Sequence, residues 1–135
     1  MATIQKTIMI DASPDVVWDA LRDFHAVHRR IAPGFVVDLE SEDDVRIVTF
    51  SNGSVAREKL VTCDDASRRL AYWISSERMV HHNASAQVFA EPDGTTRFVW
   101  TTDVLPNEIA PYIDSQMSLA VPLMKQAMEK AAKAA

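Results

Sequence analysis

Residues 3–10 (TIQKTIMI) alternate apolar with polar and are rich in β-branched side chains, which predicts a strand. Asp11-Ala12-Ser13-Pro14 ends it. Ser13 suits an N-cap, Pro14 the first helical turn and Asp15 the positive end of a helix dipole. Val16, Val17, Leu21 and Phe24, with Trp18, then form an apolar helical face. A second short helix is predicted from Phe24 to Ile31, stopped by Pro33-Gly34.

From Phe35 to about Leu105 the period changes to two. The predicted strands are 35–41, 44–51, 54–63, 68–75, 81–90 and 95–105. Asn52-Gly53 and Asp93-Gly94 are hairpin signals, because both dipeptides accept positive φ. Six strands with tight turns imply an antiparallel meander. Asn107 is read as the cap of a long helix, about 107–132. Its stripe is Ile113, Met117, Val121, Met124 and Met128, and a kink is expected at Pro122. The architecture that follows is α+β. A curved, seven-stranded antiparallel sheet grips one long terminal helix, with two short helices after the first strand.

The chain of 135 residues is one domain, 1–135, and long enough to build a core without staples. A net charge of -5 argues against a nucleic-acid partner. The single cysteine, Cys63, excludes an internal disulfide framework and a Cys-rich zinc site. No apolar run reaches membrane-spanning length, and the first residues lack the basic start and apolar core of a signal peptide. A cytoplasmic protein is expected, as a monomer or a homodimer.

Alternation also sorts the side chains between the two faces of the sheet. With Arg57 and Lys59 in water, Ala56, Glu58 and Leu60 face the concave side. With Asn83, Ser85 and Gln87 outside, His82, Ala84, Ala86 and Val88 face in. With Arg97 and Asp103 outside, Phe98, Trp100, Thr102 and Val104 face in. Arg46 is assigned to water, which turns Val45, Ile47 and Thr49 inward. Strand 70–75 has two readings: either Leu70, Tyr72 and Ile74 point in, or Ala71, Trp73 and Ser75 do.

Several inward positions are small: Ala56, Ala84 and Ala86. Set against a methionine-rich helix they leave room, and methionine suits adaptable apolar pockets. The rings expected on the wall are Trp73, Phe98 and Trp100. The helix is expected to contribute Tyr112, Met117, Val121 and Met124. Glu58 is an acid on this apolar face, so it must be paired, hydrated or used. It is the candidate acid/base or polar anchor, and His82 is its candidate companion.

No metal site is expected, since adjacent His81 and His82 point oppositely on a strand and no carboxylate stands at ligand spacing. No cofactor is expected either. There is no nucleophile-elbow serine motif, and the three glycines, Gly34, Gly53 and Gly94, make no phosphate loop.

Four segments carry a family resemblance. IDASPDVVWDALRDF (10–24) and HRRIAPG (28–34) resemble the start of START-like, or SRPBCC, proteins. NGSVAREKLVTCDDASRRLAY (52–72) and TTRFVWTTDV (95–104) are similar to the polyketide cyclase/dehydrase branch. The resemblance spans nearly the whole chain and implies the helix-grip fold with a cavity under the last helix. Relatives include cyclases, lipid carriers, plant hormone receptors and co-chaperone domains, so fold alone does not fix activity. In the hormone receptors a Glu-Arg-Leu segment resembles Glu58-Lys59-Leu60, and that glutamate contacts ligand through water. Their latch triplet is absent near Met79-Val80-His81, and Ala84 stands where they carry a ligand-contacting tyrosine.

Three functions are therefore expected to compete. The first is binding of a small, apolar, ring-containing or polyketide/lipid-like molecule. The second is a cyclase or dehydratase with Glu58 as acid/base, His82 or Tyr112 as partner, and Trp73 or Trp100 as wall. The third is a protein-interaction module using Arg29, Arg30, Arg68 and Arg69.

Overall fold

The computed structural model describes residues 1–134. Strand β1 (Ala2–Ile10) leads into α1 (Pro14–Arg22). Ser13 caps α1, its Oγ accepting the Val16 N–H at 3.3 Å, and Pro14 opens the first turn. The predicted second helix is instead a 3-10 turn, Phe24–Ala26, followed by a single π-helical turn, Val27–Ile31. The wider turn is closed by the Ala32 N–H on the Val27 carbonyl at 2.8 Å.

The meander then runs β2 (Val36–Glu42), β3 (Val45–Phe50), β4 (Val55–Asp64), β5 (Arg69–Ser75), β6 (His81–Ala90) and β7 (Thr96–Leu105). All pairs are antiparallel, and the sheet order is β1-β7-β6-β5-β4-β3-β2. The first strand thus closes beside the last, and the three short helical elements after it carry the chain across to the far edge. Register shifts at Val36/Asp38 and Leu60/Thr62 mark bulges, which increase local bend and twist. A 3-10 turn, Asn107–Ile109, precedes helix α2 (Ala110–Ala134). Asn107 is therefore inside that turn and its side chain does not cap the helix; its backbone carbonyl accepts the Ala110 N–H.

Helix α2 lies across the concave face and packs on β1, α1 and the π-helical turn. Ile113, Met117, Ala120, Met124 and Met128 are its buried stripe. Pro122 sits on the exposed side of the helix, where its missing N–H removes the helical donor to the Ser118 carbonyl.

The core confirms most of the facings and corrects one strand. Ala56, Ala84, Ala86, Val88, Phe98, Thr102 and Val104 are buried, as alternation requires. In β5 the inward set is Leu70, Tyr72 and Ile74; Trp73 is on the outer face. Strand β3 is inverted relative to the expectation. Arg46 and Val48 point in, opposite Glu58 and Ala56, while Ile47 and Thr49 pair with Arg57 and Val55.

The cause is the hairpin. A two-residue Asn52-Gly53 turn between strands 44–51 and 54–63 would set Ile47 opposite Glu58. The actual loop is three residues, Ser51–Gly53, closed by the Phe50 N–H on the Ser54 carbonyl at 2.8 Å. Gly53 takes its left-handed position at φ +87°. One extra residue shifts the pairing by one position, so that Arg46 and Val48 replace Ile47 and Thr49 opposite Glu58 and Ala56, while Val45 is buried as expected.

Candidate functional site

A hollow of about 790 Å³ lies between the concave face and α2. Its walls are built by the small side chains that alternation placed inward. Ala56, Ala84 and Ala86 leave the space, Phe98 and Trp100 present rings to it, and Met117 and Met124 roof it from the helix. Tyr112 stands at its rim, where its hydroxyl accepts from Asn52 Nδ2 at 2.9 Å. The Arg78 guanidinium lies 5.7 Å from the centre of the same ring.

Two expected wall residues are elsewhere. Trp73 is 45% exposed and pairs with Lys59 and Asn83 on the outer face, so it cannot line the hollow. Val121 is half-buried and packs on the core beside the lining residues without reaching the space.

One wall is charged. Arg46 Nε donates to Glu58 Oε1 at 2.8 Å, and the two residues are only 4% and 7% exposed. Arg46 Nη1 donates to the Phe24 carbonyl at 2.8 Å. The guanidinium is stacked between rings, 4.0 Å from the centre of Phe24 and 4.9 Å from that of Tyr72. Such placement lowers the desolvation cost of a buried guanidinium, which is weakly hydrated and attracted by π-faces. Both members of the pair line the hollow. Glu58 is thus where the sequence put it, but its partner is the arginine assigned to water.

The polyketide cyclase / dehydrase and lipid transport family model matches residues 1–135. The chain belongs to this family. Solved structures show the same SRPBCC, Bet v 1-like fold. XoxI from Bacillus cereus superposes with a TM-score of 0.80 at 18% identity, covering 98% of this chain and 96% of that one. A Thermobifida fusca protein gives 0.75 at 25% identity, covering 96% and 91%. A point mutant of norcoclaurine synthase from Thalictrum flavum, in complex with a transition-state analogue, gives 0.68 at 17% identity, covering 96% and 95%. No curated protein sequence matches the chain.

In this family member the expected Glu58–His82 couple is not assembled. Ile74 is directly opposite Glu58, and the β5–β6 register carries the same row on to His82. The two side chains are two strand spacings apart, roughly 10 Å between backbones, with Ile74 between them. His82 does line the hollow, and its Nδ1 is buried without a hydrogen-bond partner. Burial, with the neighbouring His81 adding, lowers its pKa from 6.5 to about 4, so the ring is neutral at neutral pH. Burial also pushes the Tyr72 hydroxyl up to about 12, the Glu58 charge adding to the effect, so Tyr72 remains a hydrogen-bond donor.

The surface offers less. Arg30 is paired with Asp19 and Asp23, and Arg68 with Asp15. Two of the four arginines considered for a protein partner are thus engaged within the chain. No group of three or more metal-ligating side chains occurs among the described residues, and no helix there is long and apolar enough to cross a membrane. Cys63 is exposed, and partial desolvation of its thiol raises its pKa.

Proposed function

We propose that this protein binds a small, apolar, ring-containing molecule in the hollow between the sheet and α2, and does so in the cytoplasm. The observation that carries the reading is the unfilled space itself. About 790 Å³ lined by alanines, methionines and aromatic rings has the size and chemistry of a small-molecule site. The family description, which joins cyclases and dehydrases to lipid transport, supports the same reading.

Uptake of the neutral fluorescent probe N-phenyl-1-naphthylamine tests it. The native protein is expected to enhance the probe's emission saturably. Ala84→Phe, which puts a ring into the space, should weaken uptake by about tenfold or more while the protein stays folded. Absence of saturable uptake by the native protein overturns the proposal.

A second reading, cyclase or dehydratase chemistry on a carbonyl substrate, is favoured by one feature: a carboxylate on the hollow's wall. Glu58 would accept the proton there without help from His82. Turnover with candidate carbonyl substrates, unchanged in Glu58→Gln, removes this reading.

A further inference from the structure

The contact between Arg46 and Glu58 is one-armed. A guanidinium and a carboxylate that meet in plane usually form two parallel hydrogen bonds. Here Nε reaches Oε1 and Nη1 is spent on the Phe24 carbonyl. Among the described residues, neither Arg46 Nη2 nor Glu58 Oε2 makes a hydrogen bond beyond the interaction of the guanidinium with the neighbouring Tyr72 hydroxyl. They are also not among the buried polar atoms sealed away without one, which are His25 Nδ1, His28 Nδ1 and His82 Nδ1. Both residues line the hollow, which places the pair on its wall. The open arm offers one donor and one acceptor, on side chains that are themselves 95% and 91% buried.

We propose that this open arm is the polar seat of the site and that it selects a ligand bearing a neutral ring hydroxyl, a phenol. This deepens the binding function proposed above and rests on it. A single hydroxyl oxygen can accept from Arg46 Nη2 and donate to Glu58 Oε2, which engages both groups at once. An ether can only accept and leaves the carboxylate unmet. A carboxylate ligand would face Glu58 across a low-dielectric space while Arg46 is already neutralised, so like-charge repulsion opposes it. Trp100 and Phe98 supply faces for the ring that carries the hydroxyl.

The test compares three compounds of one shape by titration calorimetry at neutral pH: 2-naphthol, 2-methoxynaphthalene and 2-naphthoate. The native protein is expected to bind 2-naphthol at least about tenfold tighter than 2-methoxynaphthalene, the size of one hydrogen bond to a charged group. 2-Naphthoate should be the weakest. This comparison needs no variant.

In the double variant Arg46→Met/Glu58→Leu, the preference for 2-naphthol over the ether should fall below about threefold, with the ether still bound. Equal binding of 2-naphthol and the ether by the native protein, a preference that survives in the double variant, or 2-naphthoate as the tightest ligand overturns the proposal. Ether binding without preference defeats the seat alone. If neither these compounds nor N-phenyl-1-naphthylamine binds, the hollow's function falls and the seat falls with it.

Discussion

Removing Arg46 alone should be among the most damaging single changes available to this protein. Arg46→Met deletes the 2.8 Å bonds to Glu58 and to the Phe24 carbonyl and the stacking on Phe24 and Tyr72. It leaves Glu58, 7% exposed, with no cation beside it. Breaking a buried pair from one side costs about 3–5 kcal/mol. Glu58→Gln should cost less, about 1–3 kcal/mol, because the amide oxygen still accepts from Nε and the guanidinium keeps Phe24 and both rings.

The double variant Arg46→Met/Glu58→Leu strands no charge. It should lie within about 1 kcal/mol of the native protein, since apolar replacement of a buried pair is often neutral. Urea unfolding followed by circular dichroism, with a common m-value across the four proteins, measures the cycle. Single variants within about 0.5 kcal/mol of native would refute the reasoning, because the pair would then be as well hydrated as a surface bridge. A double variant that loses the full sum of the singles would refute it too.

Two further outcomes follow from the site. His82 is neutral in the fold with a pKa near 4, whereas the unfolded chain protonates it near 6.5. The unfolded state therefore binds more protons between those values, so stability must rise with pH across that window and level off above it. The ceiling is about 3 kcal/mol, and the partly exposed ring should realise roughly half. His82→Leu should remove that part of the slope in urea midpoints taken across the window, and an unchanged slope would contradict the assignment. Trp73→Ser, on the outer face, should leave probe affinity within about twofold and cost less than about 1 kcal/mol; a large loss of uptake would place Trp73 back on the wall.

The architecture was legible because its signals are local. Ser13-Pro14, the switch from helical to alternating pattern near Phe35, and the 113–128 stripe each have one reading. Facing was legible where the cations of a strand share one side, as Arg57 and Lys59 do on β4, or where all its charges do, as Arg97 and Asp103 do on β7.

It failed on β3 because an arginine is normally a surface residue. The compensating acid lies on the next strand, and only the loop length decides whether the two meet. Trp73 misled for the opposite reason. A large aromatic reads as core, but β5 already had Leu70, Tyr72 and Ile74 on the other parity. The separation of Glu58 from His82 depends on the registers of three strands together, which no single segment encodes.

The three-residue connection before β4 works like a parity bit. Homologous domains that differ there by a single insertion would show opposite halves of β3 to their interiors, so that a cationic wall and a greasy one could be exchanged without altering any residue that touches the guest. Matching such chains letter by letter along this strand would then pair positions that never occupy equivalent space.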